Sequence, residues 1–148
     1  MVDGTARRAA VVSRGVSIER INPGELARPS GFCHAVAASG GRLVFLAGQT
    51  ALAPDGRIDG RSVVHQFERA LGNLLAALRG AGGGPGDLVS LTIYVVDMAD
   101  YQAHGREIGQ VWRRLAGREY PAMAAVEVSR LWDVEALVEI QGMAVVSG

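Results

Sequence analysis

Apolar residues recurring at three- and four-residue steps mark one segment of this 148-residue chain more clearly than any other. From Ser62 to Arg79 the residues Val63, Phe67, Leu71, Leu74, Leu75 and Leu78 fall on one stripe and predict an amphipathic helix. It should stop at the run Gly80 to Gly86, where glycine accepts a left-handed cap and Pro85 cannot continue a helix. A second stripe, Tyr101, His104, Ile108, Val111, Trp112 and Leu115, predicts another helix with Asp100 as its N-cap and His104 in the core. Gly105 and Gly109 weaken that helix by about 1 kcal/mol each. Elsewhere the period is two. Val16 to Ile21 alternates as a half-buried strand does, and Asn22, Pro23 and Gly24 force a turn. Cys33 to Ala38 and Arg42 to Gly48 flank Ser39, Gly40 and Gly41 and predict a hairpin. Leu88 to Val96, rich in β-branched residues, predicts a central strand, and Ala122 to Ser129 and Leu137 to Val146 two more. Strands, helix, strand, helix, strands is the order of an α+β sheet with two helices on one face. Residues 16–148 read as one domain without repeat or linker. Residues 1–15 read as an arm, loose or docked on a partner.

Composition narrows the chemistry. Hydrophobic residues are 49%, charged residues 20%, and the formal net charge is zero. So apolar a surface predicts cover by a partner subunit. It gives no electrostatic ground for nucleic-acid binding. All fifteen basic residues are arginines, which excludes Schiff-base chemistry through a lysine. The single Cys33 cannot form an internal disulfide and suits a reducing cytoplasm. No apolar run approaches the roughly 20 residues that span a bilayer, so no membrane association is expected. His34, His65 and His104 lack metal-ligand spacing, and neither metal nor cofactor is expected.

A set of short motifs then occurs in a telling order. Gly31 to Val36, Leu46 to Gln49, the helix positions Gln66, Ala70, Leu71, Asn73 and Leu74, Thr92 to Met98, and Tyr120 to Leu131 followed by Val138, Glu139 and Ile140 cover about three-quarters of the chain. Together they resemble the RidA/YjgF family, the reactive intermediate deaminases. The resemblance implies a chorismate-mutase-like fold and a homotrimer, with sheets forming a central barrel and ligand clefts between subunits. Uncovered sheet faces of a single copy would then expose apolar residues such as Val126 and Val138.

The same resemblance assigns residues. The family's Pro-Ala-Arg arginine grips a substrate carboxylate through a two-pronged contact. Here that position is Met123, which has no donor to offer. Glu139 matches the glutamate that assists a water attacking an imine carbon, and is the catalytic candidate. Its bland alternative is an acidic residue pointing to solvent or paired with Arg130. Phe32 stands where the family has a tyrosine, and Gly105 near a common asparagine. Gly48 matches a turn glycine that lets ligand approach main-chain N–H groups. Cys33 borders the same cleft. Substrate binding is thus expected of Phe32, Gly48, Met123, Gly105 and Cys33, in a pocket more apolar than the family's.

Two functions of different class follow from these residues. One is an enzyme hydrolysing an imine or enamine, or performing a related water-dependent step on a small metabolite. Amino-acid-derived imines are disfavoured unless another arginine, Arg14 or Arg130 of a neighbouring subunit, takes the place of the missing one. The alternative is a non-catalytic trimer that binds a small molecule. A ribonuclease or translation-inhibitor activity ranks third, against the neutral charge.

Overall fold

A computed structural model describes residues 15–148, so the expected arm lies, but for Gly15, outside the described residues. Strands β1 (Ser17–Ile21) and β2 (Ala35–Ser39) pair antiparallel as a small separate sheet. The main sheet is four-stranded and mixed, in the order β3 (Arg42–Gln49), β6 (Val138–Val146), β4 (Leu88–Val95), β5 (Ala122–Glu127). Among the described strands only β4 and β5 run parallel. The crossover between them carries helices α2 (Met98–Ala103) and α3 (Gly105–Ala116), while α1 (Val63–Gly80) joins β3 to β4.

The parity of the strands decides what the sheet buries. Leu91, Ile93 and Val95 of β4 stand beside Gly142, Ile140 and Val138 of β6 and beside Met123, Ala125 and Glu127 of β5. This face meets Phe67, Leu71, Leu74 and Leu78 of α1 and Ile108, Val111 and Trp112 of α3 in one core. The other face carries Tyr94, Glu139, Val126, Leu43 and Phe45, and among the described residues no helix covers it. Phe45 is 73% exposed there, and Leu43 and Val126 are also exposed. Val138, expected on an uncovered face, is instead fully buried, because its register with Val95 turns it toward the helices.

Two buried or half-buried amides tie loops to α1. Gln66, 1% exposed, donates to the carbonyls of Gly60 and Glu135 (both 3.0 Å) and accepts from the Leu137 N–H at 2.8 Å. Asn73 donates to the carbonyls of Thr50 and Leu52 at 3.0 and 2.9 Å. Ser62 caps α1 by accepting from the His65 N–H at 3.1 Å.

Three expectations need correction. The hairpin across Ser39 to Gly41 does not form: β2 pairs with β1, and β3 pairs with the longer, more apolar β6. Gly41 leaves no room for a side chain between Val16 and Val145, so the chain passes close under the sheet rather than folding back on itself. The second helix is also broken. Its N-cap is Asp97, accepting from the Asp100 N–H at 3.0 Å, and α2 ends at His104, where α3 begins. His104 is not a core residue; it sits half-exposed at the break, against the carbonyl and carboxylate of Asp100.

Candidate functional site

Between α3 and the outermost strand β5 lies a cavity of about 630 Å³, within the range of small-molecule sites. Its apolar wall is Phe32, Phe67, Ile93, Trp112 and Met123, and Gly105 and Gly109 line the side toward α3. Met123 reaches it because parity places residue 123 beside Leu91 on the helix-facing side of the sheet. Phe32 is held there from the other direction. Gly31 turns the backbone at φ 75°, and the Cys33 N–H donates to the Pro121 carbonyl at 3.0 Å, just before β5 begins. Trp112 stacks on Tyr120 with ring centres 5.1 Å apart and donates from Nε1 to the Glu119 carbonyl at 3.2 Å. Arg20 fixes the same loop, 2.8 Å from the Glu119 carboxylate and 3.2 Å from the Tyr120 carbonyl.

Polar groups around the cavity are few. Burial pushes the Tyr101 phenol up to about 12, so at neutral pH it is an uncharged hydrogen-bonding group and no base. Arg106 and Arg113 stand on the α3 side. None of the three is expected at the site from the sequence: Tyr101 reads as part of a helical stripe, and the two arginines are not singled out. The spacing of Arg106, Gly109 and Arg113, at steps of three and four, carried the signal of a shared helical face.

Glu139 and Gly48 lie elsewhere. Glu139 is opposite Tyr94 in the β4–β6 register, on the uncovered face, and does not line the cavity beside Met123. A Cβ at Gly48 would overlap the Glu139 carboxylate, so the glycine makes room for that side chain at the irregularity in β3 between Leu46 and Gln49. Within one chain, then, Phe32, Gly105 and Met123 meet, while Gly48 and Glu139 meet on the far side of the sheet. Arg130 does not pair with Glu139; it donates to the carbonyls of Leu131 and Trp132 in its own loop. Arg14 lies outside the described residues.

Cys33 is buried beside the cavity in a shallower hollow shared with Phe32, Arg20 and Arg118. Burial pushes its thiol up, with Arg20 only partly opposing, and the sulfur contacts the Ala35 carbonyl at 3.5 Å. A thiol so held is a poor nucleophile. His34 and His65 make local contacts, with the Ala27 carbonyl and the Asp59 carboxylate. Among the described residues no group of His, Cys, Asp and Glu could hold a metal ion, and no helix is long and apolar enough to cross a membrane.

Comparison with known proteins places this geometry. A family model described as Endoribonuclease L-PSP matches residues 25–146. A RutC family protein of Pyrococcus abyssi is 33% identical over 105 residues, 70% of this chain and 79% of that protein. The crystal structure of a Rid family protein of unknown function from Yersinia pestis superposes with a TM-score of 0.76 at 34% identity, covering 87% of this chain and 98% of the other. Escherichia coli TdcF, provisionally named a reactive intermediate deaminase, superposes in its structure with bound serine at a TM-score of 0.64 and 28% identity, covering 85% and 94%.

Proposed function

The chain belongs to the RidA/YjgF family, and from that premise we propose that it hydrolyses an imine or enamine of a small metabolite bound in the cavity beside Met123. The observation that carries the reading is the convergence of Phe32, Gly105 and Met123 on one cavity, at the positions where the resemblance puts ligand contacts. The serine held by TdcF supports a small-molecule ligand. Glu139 joins the site from a second copy, across the interface that the bare sheet face provides in a homotrimer. In the reaction a water attacks the imine carbon and the Glu139 carboxylate takes its proton. That proton passes to nitrogen to give a carbinolamine. The carbinolamine hydroxyl then yields its own proton through the carboxylate to nitrogen as C=O forms and the C–N bond breaks, leaving a carbonyl compound and ammonia. Beyond the bridge that Cys33 makes to Ala122, the outer edge of β5 offers main-chain groups to hold that water.

Met123 sets what is hydrolysed. Without an arginine there, a substrate carboxylate at this end loses a charged hydrogen bond, about 1.5–3 kcal/mol or roughly tenfold to a hundredfold in affinity. The favoured substrates are therefore more apolar near the reacting carbon than amino-acid-derived imines. The ribonuclease activity in the family model's description is not extended to this chain, whose net charge is zero and which has no lysine.

Decay of 2-iminobutyrate tests the assignment. Met123→Arg should raise kcat/KM about tenfold to a hundredfold over the native chain, and adding Glu139→Gln should abolish the gain while ligand binding persists. Turnover indifferent to Glu139→Gln would remove Glu139 from the reaction. Ligand binding without turnover in either the native chain or the Met123→Arg variant would refute hydrolysis and leave a binding protein.

A further inference from the structure

Resting on the cavity as the ligand site, we propose that α3 supplies its anion anchor. Arg106 and Arg113 hold the acidic end of an elongated organic anion whose apolar body lies against Phe32 and Met123. The substrate class is then a carboxylate whose charge is remote from the reacting carbon, rather than adjacent to it.

The charge pattern points this way. The cavity lining includes two arginines and no carboxylate. Arg106 and Arg113 are seven residues apart, so they project from the same face of α3 about two turns from each other. Their side chains are long enough to converge on an anion above Gly109, which sits between them on that face. Neither forms an ion pair among the described residues, whereas the adjacent Arg114 is engaged by Glu68 at 2.7 Å. Glu107, the acidic neighbour in sequence, is rotated about 100° away from Arg106 and does not line the cavity.

Space agrees with charge. Gly105 and Gly109 have ordinary negative φ, and a Cβ at either would meet no atom within 4 Å. Neither backbone conformation nor packing in the chain asks for glycine at these helix-weakening positions. What their missing side chains leave is free volume in the cavity wall that Arg106 and Arg113 also line. An anion entering there meets cations at the α3 side and a largely apolar wall at the β5 side. This polarity is the reverse of a site with its arginine on β5.

Calorimetric titration of the full-length protein with 3-benzoylpropionate, a stable keto acid with a remote carboxylate, tests the anchor. Its neutral methyl ester and the cavity-filling variant Met123→Trp are the controls. The acid should bind, and Arg106→Ala and Arg113→Ala should each weaken it by about tenfold or more, with the ester unaffected. Gly109→Ala should raise Tm by about 2–4 °C and still weaken the acid. No binding of the acid at millimolar concentration overturns the proposal. So does an affinity unchanged in the double arginine variant while Met123→Trp abolishes binding; that result leaves the cavity as the ligand site. Binding indifferent to Met123→Trp would remove the cavity reading itself, and the anchor with it.

Discussion

Gly48 and Glu139 show how little of a residue's role lies in its own chemistry. From the sequence, Gly48 reads as a turn glycine beside a ligand. In the fold its missing side chain is the space that the Glu139 carboxylate occupies. Because the obstructed group is the flexible end of a side chain, Gly48→Ala should displace the carboxylate with little loss of packing. Its Tm should stay close to the native value, while turnover of the native substrate, or of 2-iminobutyrate by the Met123→Arg protein, falls as far as in Glu139→Gln. Thermal denaturation and steady-state kinetics on the same samples separate the two effects. Met123 was legible as a departure from a motif, and its parity with Leu91 places it in the cavity. Arg106 and Arg113 were not singled out, since exposed arginines on a helix are ordinary until a hollow is seen beside them.

At the scale of elements, local periodicity predicted α1 to within a residue and found every strand of the main sheet. What it could not supply was pairing. Cys33 to Ala38 and Arg42 to Gly48 looked like a hairpin because both alternate and glycines separate them, but strand partners are chosen by distant apolar surface. The break at His104 had its warning in Gly105, whose low helix propensity tips the junction once Asp97 has capped α2. Gln66 is the clearest element-level contributor. Replacing it with leucine leaves the Leu137 N–H and the carbonyls of Gly60 and Glu135 without their partner in a buried place. A loss of about 2–4 kcal/mol in urea-unfolding free energy is expected, with the loop before β6 loosening first by amide exchange.

For the whole molecule, composition leads to the expectation of an apolar surface, and the register shows which sheet face carries exposed apolar residues. Phe45, Leu43 and Val126 stand exposed on the side of the sheet away from the helices, with the half-buried Glu139 on the same side. If this face is the interface of the proposed trimer, Phe45→Asp should leave the secondary structure intact and shift sedimentation from trimer to monomer, with loss of turnover. A variant that sediments as the native protein does would take this face out of the interface. The sequence motifs named the family but could not reveal this division of the site, because alternation along β5 and β6 shows two faces and not which residues share one. Parity has one more consequence, at the level of inheritance. If each working junction joins the hollow of one copy to the carboxylate of the next, two different crippled alleles can rescue each other. Subunits with a blocked hollow and subunits lacking Glu139 would, when mixed, build rings containing a junction with both halves sound.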